Sequence, residues 1–362
     1  MKVLFLLEYY EPHVGGVETL FKSLAGQLVK RGYKVTVLTN KYDSSLKSKE
    51  IIEGVEVIRY RFFNRYLFTF LAWIPGLWQA SGVKVIHTTS YNAGLPAWIV
   101  GLLRRKKTII TFHEYWGNLW FELPWLNILS RYLNSAFERL LGSLPFHRFI
   151  AVSDYTKFAL LDAGVPESKL IRIYNGIDYD DFVGVEGSKN PEEFQFLFFG
   201  RVGYSKGIDL LVRAIPLIET FINFRVKLIL PKEPLLEKVK TLINERGLSK
   251  DLLTIESSKP FSELKKSIKS SNCILIPSYS EGFCYAAVET MAIGTPIVSS
   301  GRGALSEVVS GQFITMDSYT PAGLARAMQS ALKEEWNNTE MKQFLLQETI
   351  EQYIELYHEL DQ

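Results

Sequence analysis

The feature that most constrains this chain is a rhythm. Short apolar runs alternate with segments of helical period, and the whole pattern occurs twice. In the first half the runs are KVLFLL (2–7), KVTVLT (34–39), VEVIRY (55–60), KVIHTT (84–89), KTIITF (107–112) and RFIAVS (148–153). Leu20, Phe21, Leu24 and Leu28 recur at helical spacing between the first two, which predicts a helix over 17–30 stopped at Gly32. The second half restarts with FQFLFFG (194–200), RVKLIL (225–230), LLTIES (252–257), NCILIPS (272–278) and TPIVSS (295–300). Helices are expected over 207–219, 235–246, 262–270, 285–293 and from 320 onward. Strands alternating with helices require parallel sheets covered on both faces. With 362 residues, too many for one ordinary core, the reading is α/β with two Rossmann-like domains facing a central cleft. We place them at 1–183 and 184–336, joined through the polar stretch DYDDFVGVEGSKNPEEF, with a charged helix over 337–362.

Bulk properties remove several classes. The chain carries 41 basic and 39 acidic residues, without the basic excess of a nucleic-acid binder. Its two cysteines, Cys273 and Cys284, cannot make a disulfide framework or a metal knot and read as small buried hydrophobes in a reducing cytosol. MKVLFLLEYYEPH lacks the core and cleavage site of a signal peptide and reads as a first strand. No run is long and apolar enough to span a bilayer; 66–83 is uncharged but broken by Pro75, Gly76 and Gly82. These readings imply a cytoplasmic protein and leave peripheral attachment to the inner face of the membrane open.

Four segments carry chemistry, each just after an expected strand. In EPHVGGVETL, Gly15 and Gly16 precede the first long helix, where a helix N-terminus favours an anion; glycines before a helix also serve plain turns. In FFGRVGYSKGIDLL, Arg201 and Lys206 sit on a glycine-bearing loop suited to a diphosphate, or are two solvated cations. In PSYSEGFCYAAVE, Glu281 precedes a helix beginning near Phe283, and Glu289 lies about two turns in. That spacing, roughly 9 Å farther along the axis, prevents proton sharing and suits two grips on one extended ligand, with the amides of 282–285 between them. The alternative is a capping and a surface glutamate. In TFHEYWG, His113 is either structural or a cleft residue.

Together these segments resemble the retaining, nucleotide-sugar-dependent glycosyltransferases of family 4, which have the GT-B fold. The residues are GGVE (15–18), TFHE (111–114), IAVSDYTKFALLDAGVPESKLIRIYNGID (150–178), GRVGYSKGIDLL (200–211) and PSYSEGFCYAAVETMAIGTPIVSS (277–300), followed by Glu307. Glu-x7-Glu joined to MAIGTPIV is specific in combination. The resemblance implies that the last helix crosses back to the first domain. It implies that Glu289 holds the ribose hydroxyls and Glu281 the donor sugar, with Gly282 and the amides of Phe283 and Cys284 supporting the same ligand. Arg201 and Lys206 would neutralise the leaving diphosphate, Gly15 and Gly16 would admit it closely, and His113 would reach the transferred sugar. It further implies retention of anomeric configuration and no cofactor or metal, the donor being a UDP- or GDP-sugar. Electrostatic stabilisation of the leaving group would be a major catalytic term.

Three departures stand out. LILPKEP replaces a Gly-x-Gly-Pro turn, Cys284 stands where the family often has glycine, and GRGALSE places Arg302 inside an expected Gly-Gly pair. The acceptor side is unusually aromatic in 61–79 and 115–133, with Arg59, Arg61 and Arg65 leading into the first stretch. These segments are either helices packed together or a patch that docks on an anionic membrane and admits a lipid-linked or glycan acceptor. Up to Val185 the chain has 22 Lys and Arg against 16 Asp and Glu, and beyond it 19 against 23, so the basic excess lies on the aromatic side. A two-Rossmann dehydrogenase is the competing enzyme class, but HVGGVE does not supply G-x-G-x-x-G. A non-catalytic sugar- or lipid-binding paralogue is the competing functional class.

Overall fold

The computed structural model of the chain describes residues 1–13 and 15–361. It divides into two units. The first comprises 1–121, 128–176 and 346–362; the second comprises 122–127 and 177–345.

The first unit is built on eight strands: β1 Lys2–Leu6, β2 Lys34–Asn40, β3 Lys49–Ile52, β4 Val55–Tyr60, β5 Val85–Thr89, β6 Lys107–Phe112, β7 Arg148–Ala151 and β8 Leu170–Arg172. They lie in the order β3-β4-β2-β1-β5-β6-β7-β8, all parallel except β3, which runs antiparallel to β4 at the edge. The apolar run of β1 is explained by two-sided burial. Val3 and Phe5 enter one core and Leu4 and Leu6 the other, following the two-residue period of a strand.

The helix Leu346–Asp361 buries Ile350, Tyr353, Ile354, Leu356, Tyr357 and Leu360 in the core that holds Val3 and Phe5. A polar anchor fixes it. Fully buried His87 of β5 places Nδ1 2.5 Å from Tyr357 Oη and Nε2 2.8 Å from Thr111 Oγ1. Thr349 donates to the Tyr174 carbonyl at 2.8 Å. The last helix thus belongs to the first unit, as the resemblance implied. It does not begin at 337, however: Asn337–Asn338 is a strand, and helix starts only at Leu346.

The second unit has β9 Phe194–Phe199, β10 Phe224–Leu230, β11 Leu253–Ser257, β12 Cys273–Ile276, β13 Ile297–Ser299, β14 Gln312–Thr315 and β15 Asn337–Asn338. Their order is β11-β10-β9-β12-β13-β14-β15, parallel throughout except β15 on β14. Chain order reverses between β9 and β12, so the loops after these two neighbouring strands open on one crevice of this sheet. The expected helix over 207–219 is shorter, Ile208–Ala214 followed by a 3-10 turn at Ile215–Leu217, because Pro216 cannot donate into a continuing α-helix. The two cysteines are buried and free.

Candidate functional site

In the second unit the loops after β9 and β12 are bonded to each other. Lys206 Nζ lies 2.8 Å from both Glu281 oxygens, and Ser278 Oγ donates to Glu281 Oε1 at 2.6 Å. Tyr279 N–H donates to the Ser205 carbonyl at 2.7 Å. Gly207 has φ +69°, and a Cβ there would stand 1.9 Å from the Pro277 carbonyl oxygen, so the close approach of the loops requires glycine. Glu281 is buried while Lys206 is a third exposed, leaving the ammonium accessible beside a carboxylate that water barely reaches. A cation so placed can neutralise a phosphate, and the carboxylate can accept from a sugar hydroxyl.

Arg201 stands on the same loop but is directed to Glu233, at 3.1 Å. Glu233 also accepts from the Val202 amide at 2.9 Å and belongs to the LILPKEP loop, which the sequence marked only as a departure. Arg201 is largely exposed, and a pair of this kind is worth ~0–1 kcal/mol, so little holds it back from an arriving anion.

The helix after Glu281 spans Tyr285–Ile293, so Glu289 lies a little over one turn in rather than two. The half-buried side chain of Glu289 makes no hydrogen bond or ion pair among the described residues; burial pushes its carboxyl up to about 8. Cys284 caps this helix in the left-handed region, φ 77° and ψ 78°. That conformation is one that glycine adopts without strain, in keeping with the glycine expected there from the resemblance. Burial also raises the Cys284 thiol, which makes it a space-filling group. Gly282 and Phe283 are buried, and the Phe283 ring meets Phe344 edge to face at 5.2 Å.

In the first unit, Gly15 and Gly16 begin the helix Gly16–Lys30, one residue earlier than expected. The first turn already holds a carboxylate: Glu18 is buried and lies 3.0 Å from His13 Nδ1. A Cβ at Gly15 would lie 2.4 Å from Glu18 Oε2 and displace it. His113 follows β6, with its Nε2 buried and without a hydrogen-bond partner among the described residues. Burial lowers it to about 4, opposed by Glu18, so it is neutral at pH 7. An unpaired buried nitrogen is costly and uncommon.

Two residues here escaped the sequence reading. His87, held at about 3 by burial and then by His113, is spent on the C-terminal helix. Fully buried Glu138 accepts from the amides of Trp116 (2.9 Å) and Gly117 (2.7 Å), from Trp120 Nε1 (3.1 Å) and from Tyr91 Oη (2.8 Å). It therefore organises part of the aromatic stretch 115–133 as interior. Arg59 is likewise interior, donating to the carbonyls of Lys47 and Glu11 and pairing with Glu50; it is not a surface cation. What stays exposed is Phe63, Tyr66, Leu67, Phe70, Leu71, Ile74 and Trp78 from the first stretch and Ile128, Leu129, Tyr132 and Leu133 from the second. No helix among the described residues is long and apolar enough to cross a membrane, and no three His, Cys, Asp or Glu side chains among them are placed to hold a metal ion.

Two largely parallel sheets of this topology match solved structures of the GT-B fold. The family comparison agrees: residues 14–181 match Glycosyltransferase Family 4 and 185–346 match Glycosyl transferases group 1. The chain belongs to glycosyltransferase family 4. It is 23% identical over 355 residues to a phosphatidylinositol N-acetylglucosaminyltransferase chain of Arabidopsis thaliana, covering 92% of this chain and 74% of that one. It is 28% identical over 340 residues to an uncharacterized glycosyltransferase of Methanocaldococcus jannaschii, covering 85% and 83%. Among solved structures, sucrose-phosphate synthase from Thermosynechococcus elongatus superposes with a TM-score of 0.79 at 21% identity over 99% of this chain and 98% of that one. Anabaena HepE in complex with UDP-glucose superposes with a TM-score of 0.72 at 16% identity over 99% and 100%.

Proposed function

We propose that this glycosyltransferase moves a hexose from a UDP- or GDP-sugar to a glycan or lipid-linked acceptor, without a metal and with retention of configuration. The observation that carries the reading is the ammonium of Lys206 held 2.8 Å from both oxygens of buried Glu281, at the start of the helix that carries Glu289. In this reading Lys206, joined by Arg201 released from Glu233, takes up the charge of the departing diphosphate. Glu281 accepts from the donor sugar and Glu289 from the ribose. Gly282 and the amides of Phe283 and Cys284 support the same ligand. Gly15 and Gly16 allow close approach of backbone, and neutral His113 offers Nε2 to the transferred sugar. The relative solved with UDP-glucose supports a uridine donor as the first to try.

A membrane-borne acceptor is the favoured class, because exposed Phe63, Tyr66, Phe70 and Trp78 sit in the half with the basic excess. The relative named for phosphatidylinositol glycosylation points the same way. A thermal-shift screen of nucleotide sugars, followed by incubation of the hit with membrane lipids, tests donor and acceptor in turn. Glu281→Ala should abolish transfer while the protein melts as before; unchanged turnover overturns the assignment. Absence of salt-sensitive binding to anionic liposomes removes the membrane acceptor.

A further inference from the structure

The loop after β13 departs from the expected Gly-Gly pair by inserting Arg302 between Gly301 and Gly303, and the structure shows what that side chain does. Three hydrogen bonds run from residues 300–304 to the loop carrying Glu281. Ser300 Oγ donates to the Ser278 carbonyl at 2.7 Å, Arg302 Nε to the Tyr279 carbonyl at 2.7 Å, and the Ala304 amide to the Glu281 carbonyl at 2.8 Å. Gly303, at φ +64°, lies so close beneath that a Cβ would stand 2.5 Å from the Glu281 carbonyl oxygen. Two of the three bonds come from side chains, and of these only that of Arg302 arises inside the expected Gly-Gly pair.

The guanidinium is itself held on two further sides. It lies over the Tyr319 ring, 4.6 Å from the centroid, and its terminal nitrogen meets Glu122 at 3.1 Å. Tyr319 donates to the Pro277 carbonyl at 2.9 Å, and its ring meets that of Tyr279 at 4.9 Å. Tyr279 in turn donates to Asp209 Oδ2 at 3.0 Å, beyond the Lys206 loop. Lysine could supply the charge opposite Glu122 but not a planar fork that stacks, donates sideways and pairs at its end.

We infer that Arg302 is a positioning residue: it clamps the Tyr279 carbonyl between Tyr319 and Glu122 and so fixes the loop from which Glu281 faces the donor sugar. The clamp acts on Glu281 and leaves Glu289, on the following helix, untouched. Its loss should therefore fall on the sugar and the chemical step and spare the nucleotide. This rests on the donor assignment proposed above.

The test uses the full chain, with isothermal titration of UDP and steady-state turnover over a panel of UDP- and GDP-sugars. Arg302→Ala should bind UDP within about threefold of the parent while kcat on the parent's preferred donor falls at least about tenfold, the scale on which loosened positioning acts. Arg302→Lys should side with Arg302→Ala, and Glu122→Gln should fall between them and the parent; if Arg302→Ala does not melt cooperatively, Arg302→Lys decides. Equal turnover in Arg302→Lys and the parent overturns the inference. So does a loss of UDP affinity as large as the loss of kcat, which general damage to the unit would produce. A parent chain that turns over none of the donors overturns the donor assignment, and the inference with it.

Discussion

The two units share a sheet topology and differ in what they place at the ends of their strands. In the second, the loops after β9 and β12 meet through charge: Lys206, Glu281 and, to one side, Arg201 with Glu233. In the first, the carboxylates after β1 are paired, Glu8 with Arg65 and Glu11 with Lys22. Glu18 has His13, and His113 is an uncharged imidazole. Under the proposed function, the second unit meets an ionic ligand through Lys206 and the first offers His113 as a hydrogen-bonding group without charge. This fits a division between diphosphate donor and acceptor hydroxyl, and the division can be tested from either side.

The largest effect is expected from Lys206→Ala. Loss of one preorganised charge at a leaving group costs ~3–4 kcal/mol in the transition state, so kcat should fall about 10²–10³-fold in steady-state assays with the identified donor. Lys206→Arg should restore part of it. A loss below about tenfold would remove the contrast between the units. His113→Phe should cost about 10²-fold, as removal of a single polar contact to the transition state does, without changing nucleotide affinity. If nucleotide affinity falls instead, His113 belongs with the charged set.

The units should also respond to pH in opposite senses. His87 and His113 are lowered to about 3 and about 4, so between those values and the ordinary ~6.5 the unfolded chain binds more protons. Their contribution is whole above pH 6.5 and is lost as pH falls, by up to ~1.4 kcal/mol per pH unit for His87, which is fully buried. Melting temperatures at pH 7.5, 6 and 5 should fall on the acid side, and His87→Gln should flatten the trend. Glu289 runs the other way. Raised from the ordinary 4.5 to about 8, its carboxyl is favoured in the neutral form, and the associated stability, whole below pH 4.5, is lost as pH rises toward 8. Nucleotide affinity should strengthen from pH 7 to 9 as the carboxylate forms, and Glu289→Gln should remove that dependence. The smallest effect is expected at Cys284. Cys284→Gly relieves a left-handed residue, worth ~1 kcal/mol, against the loss of a buried thiol. The melting point should move by a few degrees at most, with turnover retained.

How much of this could be read from the chain depended on periodicity and length. The long apolar runs were found almost to the residue, as at Val55–Tyr60 and Lys107–Phe112, because two-sided burial leaves an unbroken apolar signature. β3, β8, β14 and β15 were missed. They are short edge strands or lie beside an edge, where partial exposure and few residues erase the pattern. That Lys206 and Glu281 lie on the loops after β9 and β12 was legible because each follows a clear apolar run. Glu138 was not, since a carboxylate inside a helix announces nothing until its four donors are seen around it. The conformation of Cys284 was equally hidden, because a backbone angle leaves its trace only in the residues other chains prefer.

The return of residues 346–361 to the first unit bears on how the chain is made. As synthesis proceeds, every residue of the second unit, 122–127 and 177–345, has emerged before the helix that closes the core around Val3 and Phe5. The unit encoded second can therefore be finished first, while the one begun first waits with a hydrophobic face open. A ribosome-stalled chain in which Leu345 is followed by an unrelated spacer long enough to fill the exit tunnel should give a protease-resistant second unit beside a sensitive first one. Releasing the helix Leu346–Asp361 should confer protection on the part of the molecule made earliest.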